Sequence, residues 1–296
     1  MRQAVSVSLG SSQNDYSVAM ELGGERVGLR RMGTDGDVRR MAGLLRQLDG
    51  QVEAIGLGGI NLCFFCGRKP YPFHQGQELA GLAPDTPVVD GSTLKEWVEP
   101  ETIPFLARNW GLDFQGRTAL LASALDRYPL AAAMKAHGAR LIVGDAMFAL
   151  GLPVPFHSLA AFNLVAGLTL PFFSHFPIGS LYPLGERQLE IRPRWCRYYR
   201  QADILAGDWH FLRRHLPQRL DGKIVITSTV TASDRDSLSA RGAKTLVTFM
   251  PAIGGRSLAA NAWEAAFTAA AGRRLQGREL LEAVWSAGLE PEVTVF

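Results

Sequence analysis

Thr118-Ala119-Leu120-Leu121-Ala122, the turn Ser123-Ala124-Leu125-Asp126-Arg127-Tyr128, a helical stretch from Pro129 to His137, and Arg140-Leu141-Ile142-Val143-Gly144-Asp145 together decide the fold. Two short apolar runs bounded by turn chemistry and joined by a helix make a βαβ unit. The pattern repeats downstream. Ile204-Leu205-Ala206, Lys223 to Thr227 and Thr245 to Phe249 read as strands separated by helical stretches. Ser257 to Ala271 and Arg278 to Ala287 read as helices, and Glu292 to Phe296 as a closing strand. Strands alternating with helices of this length predict a parallel sheet covered on both faces, a Rossmann-like doubly wound α/β domain.

Upstream, Ala4–Leu9 and Tyr16–Leu22 alternate like strands on either side of the turn at 10–15, and Gly23-Gly24 turns into Arg26–Arg31. These residues predict a hairpin feeding a helix, because Val38, Met41, Leu44, Leu45 and Leu48 follow at helical spacing behind the capping candidates Thr34, Asp35 and Asp37. Val52–Leu57 and Pro87–Gly91 add two buried strands, with a helix from about Ser92. The reading gives two α/β domains, residues 1–115 on the substrate side and 116–296 for a nucleotide.

Composition sets the outer limits. In 296 residues, 47% are hydrophobic and 20% charged, ample for a buried core and against disorder. A net charge of +3 is too weakly basic to point to nucleic acid. The three cysteines cannot complete a disulfide framework, and the first residues run straight into strand alternation without a signal-peptide core, so a cytoplasmic protein is expected.

The strand ends carry the candidate chemistry. In dinucleotide-binding folds an acid ending the second strand, about 20 residues past the phosphate loop, bonds the ribose hydroxyls. Asp145 stands in that place beyond Ser123 and would favour NAD over NADP. Ser123, Asp126, Arg127 and Thr229 would border the cofactor, although the turn lacks Gly-x-Gly-x-x-Gly. Gly254-Gly255-Arg256-Ser257, ahead of a helix, reads either as an anion cradle for substrate carboxylate or phosphate or as a glycine turn with Ser257 as cap. Asp208 and His210 could pair as acid and base, or with His215 form half a metal site, although two histidines five apart are poor metal geometry. Lys95, one turn beyond Asp90, is the candidate for moving a hydroxyl proton, with Lys69 as rival.

Residues 146–185 contain no Asp, Glu, Lys or Arg. Ser158–Pro177 approaches the length of a bilayer span, but Pro171 interrupts it. A buried helix, a homo-oligomer interface and a membrane-surface contact all fit. Beyond it, Arg192, Arg194, Arg197 and Arg200 (with Arg187 upstream) interleave with aromatics, suiting an anionic ligand or lipid headgroups better than nucleic acid. Cys63-Phe64-Phe65-Cys66 reads as two buried cysteines or, less well, a redox pair.

Five segments taken together carry a resemblance: Val5–Ser12, Gly33-Thr34-Asp35-Gly36-Asp37, Gly144–Pro153, Ala206-Gly207-Asp208-Trp209-His210 and Gly254–Ser257. Over nearly its whole length the chain resembles the bacterial quinate 5-dehydrogenase-like family. That resemblance implies a Rossmann-type C-terminal domain and NAD(P)-dependent oxidation of a cyclic hydroxy acid such as quinate or shikimate. The Asn-Val-Thr-x-Pro-x-Lys motif of quinate and shikimate dehydrogenases is absent, so the resemblance assigns no catalytic lysine. The competing expectation is a non-catalytic or non-redox α/β protein that binds a nucleotide or a lipophilic anionic ligand, with a membrane surface as one place for it.

Overall fold

Alternation and turn chemistry lay out the amino-terminal elements of the computed structural model, which describes residues 1–67, 69–181, 184–185 and 190–296. Strand β1 (Arg2–Ser8) precedes the hairpin of β2 (Tyr16–Leu22) and β3 (Glu25–Gly33), whose turn places Gly23 and Gly24 at positive φ. Asp37 accepts the N–H groups of Arg39 and Arg40 and so starts α1 (Val38–Leu48), which buries Met41, Leu45 and Leu48. Then come β4 (Ala54–Gly58), the hairpin β5 (Cys63–Cys66) and β6 (Lys69–Pro72), α2 (His74–Ala80), β7 (Val88–Val89), α3 (Ser92–Trp97) and α4 (Thr102–Trp110). The βαβ unit follows as β8 (Thr118–Leu121), α5 (Tyr128–Ala136) and β9 (Arg140–Val143). Helices α6 (Asp145–Phe148), α7 (Leu159–Phe173), α8 (Ile178–Leu181) and α9 (Cys196–Gln201) precede β10 (Ile204–Ala206), α10 (Trp209–Arg214), β11 (Ile224–Thr227), α11 (Ala232–Ala240) and β12 (Thr245–Thr248). The chain closes with α12 (Ala260–Ala271), α13 (Arg278–Ser286) and β13 (Glu292–Val295).

Two α/β units result. The first takes Met1–Trp97, Thr169–Gln188 and Ala259–Gly288, and the second Val98–Leu168, Leu189–Leu258 and Leu289–Phe296. The expected division at 115/116 is therefore corrected, and α12 and α13 leave the nucleotide-side domain. The cause lies in α12, whose residues from Ala260 to Ala269 are all buried. It packs on β1, β3 and β4 of the first unit, where Asn261 Nδ2 donates to Ser6 Oγ at 2.7 Å and Ala269 O accepts from Arg2. Glycines admit it: a Cβ on Gly56 would sit 2.5 Å from the Asn261 carbonyl oxygen, and one on Gly91, at φ +85°, 2.5 Å from its amide nitrogen.

The sheet of the first unit runs β2-β3-β1-β4-β7. β1 pairs in parallel with both β3 and β4, so the opening hairpin is β2–β3 and not the first two strands. Its other layer centres on Val5, Val7, Leu57, Met41 and Leu45, all buried. In the second unit the order is β13-β12-β11-β10-β8-β9, parallel from β9 to β12 with β13 antiparallel at the edge. The chain leaves β8 for β9 on one side and returns to β10 on the other. That reversal makes the carboxyl ends of β8 and β10 a topological switch point, where such sheets usually take a ligand in a crevice.

Candidate functional site

The turn after β8 carries Asp126 and Arg127 into the carboxyl end of the second unit's sheet. Arg127 is 2% exposed and Glu99, in a short 3-10 turn at Glu99–Glu101, is fully buried. Arg127 Nε donates to Glu99 Oε2 at 2.7 Å and Nη2 to Oε1 at 3.3 Å, a two-pronged pairing. Its Nη1 meets Asp126 Oδ2 at 2.6 Å and lies 3.9 Å from Asp208 Oδ2, while Nη2 reaches Ser228 Oγ at 3.4 Å. The guanidinium also lies over the Phe249 ring, 5.8 Å from its centroid. Burial disfavours the cation, but the three carboxylates outweigh it and hold Arg127 protonated.

Among the described residues, Arg127 thus faces three acids. Glu99 is spent on neutralising Arg127, whereas the side chains of Asp126 and Asp208 stay 19% and 18% exposed. Ser123 Oγ, buried on the same turn, has no hydrogen-bond partner among the described residues. Thr229 follows β11 at φ +65°, a left-handed conformation that costs a threonine energy, and its hydroxyl donates to the Ser228 carbonyl at 2.5 Å. The arrangement presents two anchored carboxylates and nearby hydroxyls at the topological switch.

The strand expected to end in Asp145 stops at Val143, and Asp145 opens α6 after Gly144 with its carboxylate turned inward. Oδ2 accepts from the Ala124 amide at 2.8 Å and Oδ1 from that of Leu125 at 2.9 Å. Burial pushes its carboxyl up to about 7, against the pull of those amides. The amides that would hold a pyrophosphate therefore already hold a carboxylate of the chain itself. With Asp126 and Asp208 alongside, the turn does not fit a dinucleotide pyrophosphate, and the ribose-holding role expected of Asp145 is corrected to a clamp on the turn.

Other expectations change in the same way. Gly254 and Gly255, at φ +60° and +77°, form an exposed two-residue turn closed by Ile253 and Arg256, whose backbones exchange hydrogen bonds of 2.9 and 3.2 Å. Ser257 is buried with its amide on the Val230 carbonyl, and α12 begins only at Ala260, so no helix start lies behind Arg256 to make an anion cradle. Asp208 meets His210 through the backbone: Oδ1 accepts from the His210 and Phe211 amides and caps α10. The ring of His215 contacts the Arg192 carbonyl at 3.0 Å, with burial lowering its pKa, and no cluster of three metal-ligating groups exists among the described residues.

In the first unit, Asp90 is buried, with Oδ2 on the Leu62 amide at 2.7 Å and Oδ1 on that of Ser92 at 3.1 Å. It clamps the start of α3, in whose last turn Lys95 lies, and both its oxygens are used by the backbone. Lys69 is exposed on β6, its Nζ 5.0 Å from the Tyr71 ring centroid. Cys63 and Cys66 occupy one strand three residues apart, hence opposite faces, and none of the three cysteines is in a disulfide among the described residues. Arg187 lies outside the described residues.

Sequence reasoning missed Glu99 and Glu264. Glu264, on α12, accepts the Thr93 and Leu94 amides through Oε2, and its buried Oε1 has no hydrogen-bond partner among the described residues. Burial, reinforced by the charge of Asp90, pushes its carboxyl up to about 7. A glutamate inside Ala262-Trp263-Glu264-Ala265-Ala266-Phe267 was the available signal.

Residues 93–296 match the family described as a domain of unknown function (DUF8754), and residues 3–90 match a second such domain (DUF8753). The chain belongs to the DUF8754 family. No curated protein matches it. Among solved structures, it is similar to a 5-methylthioribose transporter solute binding protein from Thermotoga lettingae, at 10% identity and TM-score 0.38, over 99% of this chain and 85% of that one. It is also similar to an NAD-dependent malic enzyme from Thermotoga maritima, at 12% identity and TM-score 0.34, over 83% and 65%. A third is a phosphoglycerate oxidoreductase from Vibrio cholerae, at 11% identity and TM-score 0.28, over 97% and 100%. Likenesses this distant assign no ligand or reaction to the chain.

Proposed function

We propose that the second unit binds a small polyhydroxylated molecule at the carboxyl ends of β8 and β10, its hydroxyls donating to Asp126 and Asp208. The observation that carries this reading is the pair of part-exposed carboxylates anchored by buried Arg127 at the switch point. Adjacent hydroxyls suit carboxylate acceptors, and Ser123 Oγ supplies a further donor or acceptor. The Asp126 and Asp208 carboxylates disfavour a phosphate close by but accept hydroxyls of a neutral polyol or a sugar. Cyclic hydroxy acids such as quinate and shikimate remain within this class if their carboxylate points away from the acids.

A second reading, NAD(P)-linked oxidation of such a hydroxy acid in the cytoplasm, is favoured by the parallel strand order and by the acid that opens α6 after β9. It requires Asp145 to release the turn amides to the cofactor. Calorimetric titration with a neutral cyclitol, quinate, shikimate, NAD, NADH, NADP and NADPH separates the two. The first reading expects polyol binding lost in Asp126→Asn and Asp208→Asn. The second expects dinucleotide binding weakened in Asp145→Ala. Binding of none of these sinks both.

A further inference from the structure

Helix α7 has an inner and an outer stripe, and both are apolar. Leu159, Phe162, Ala166 and Leu170 face inward and are buried, at the three- and four-residue steps of one helix face. The opposite stripe holds Leu164, Val165, Leu168 and Phe172, which are 67%, 43%, 75% and 64% exposed. An ordinary surface helix would place charges there, yet the whole run 146–185 carries none. Leading into α7, Leu150, Leu152 and Val154 are also exposed. At 15 residues α7 is about 22 Å long, and no helix among the described residues is long and apolar enough to cross a membrane.

A cation borders the 150–154 segment. Arg194 Nη2 donates to the Gly151 carbonyl at 3.1 Å, which holds its guanidinium beside this segment and 4.3 Å from the Trp195 ring centroid. Arg194 and Arg197 are exposed, and neither has a carboxylate partner among the described residues. Apolar side chains flanked by uncompensated arginines complement the acyl boundary and phosphate layer of an anionic bilayer. A second copy of the same surface would set arginines against arginines.

We propose that the outer face of α7 and the 150–154 segment dock the protein peripherally on an anionic lipid surface, with Arg194 and Arg197 meeting the headgroup phosphates. The test is flotation of the full chain with vesicles of phosphatidylcholine alone or mixed with phosphatidylglycerol, beside light scattering for oligomeric state. The chain is expected to float with the anionic vesicles and to be released by salt. Leu164→Glu and Leu168→Glu should each lower binding about tenfold or more. These positions are exposed, so thermal melting should be unchanged. Arg194→Gln with Arg197→Gln should abolish the preference for anionic lipid. No flotation at low salt overturns the proposal, as does a dimer that Leu168→Glu dissociates without any lipid binding, which would make the face a copy-to-copy interface. Either result leaves the polyol reading of the second unit untouched.

Discussion

Two buried acids, Glu99 in the second unit and Glu264 in the first, are held in opposite ways, and Asp145 of the second unit follows Glu264. At the switch point of the second unit, Glu99 is fully buried but faces Arg127 at 2.7 Å, and the ion pair keeps both charges inside the protein. On α12 of the first unit, Glu264 is equally buried but has only two amide donors, so desolvation wins and its carboxyl rises to about 7. A cation beside a buried acid makes its charge permanent, and a lack of one makes the charge depend on pH. The Glu99–Arg127 arrangement lies at the carboxyl ends of the paired strands β8 and β10 and leaves two further carboxylates part-exposed. This is the pattern of a site rather than of a core.

The sharpest way to break the contrast is Arg127→Met. It takes the buried cation away from buried Glu99, and urea unfolding at neutral pH should show a loss of about 3–5 kcal/mol. A loss below about 1 kcal/mol would mean that the pair does not anchor the site.

Glu264→Gln should act in the other direction. Between the ordinary carboxylate range and about pH 7 the folded chain retains a proton at Glu264 that the unfolded chain releases, so stability falls as pH rises through that window and then levels off. The glutamine variant should gain about 2 kcal/mol at pH 8 and reduce the slope between pH 5 and 7, the remainder belonging to Asp145. An unchanged slope would place the titration elsewhere.

Asp145→Ala orphans the Ala124 and Leu125 amides and should cost about 1–2 kcal/mol, measured by thermal melting. Smallest is Thr229→Gly, which relieves a left-handed threonine and should raise stability by about 1 kcal/mol. A loss of stability there would mean that the hydroxyl's bond to the Ser228 carbonyl outweighs the strain.

The parallel sheet of the second unit was legible because β8, β9, β10, β11 and β12 are short apolar runs set between helical stretches, each ending in turn chemistry. The residues that build its site were partly legible too. Asp126, Arg127, Asp208 and Thr229 all stand at strand ends, where such sheets bind ligands. Their partners were not. Glu99 comes from an element before β8, and nothing in local spacing reveals a pairing across that distance. The inward turn of Asp145 is a side-chain choice made by burial, which strand position does not encode. Likewise α12 reads as a helix in sequence, but its membership of the first unit rests on Gly56 and Gly91 lying far from it in the chain. The glycines of 254–255 signalled a turn correctly, and only the late start of α12 removes the anion cradle.

The most direct test of the central claim is a calorimetric titration of the intact chain with a neutral cyclitol, quinate and shikimate, repeated on Asp126→Asn and Asp208→Asn. Saturable binding of a polyhydroxylated ligand, weakened about tenfold or more by either substitution while the fold melts as before, is the predicted result. Tight binding of a dinucleotide that ignores both substitutions would contradict it and return the switch point to a cofactor.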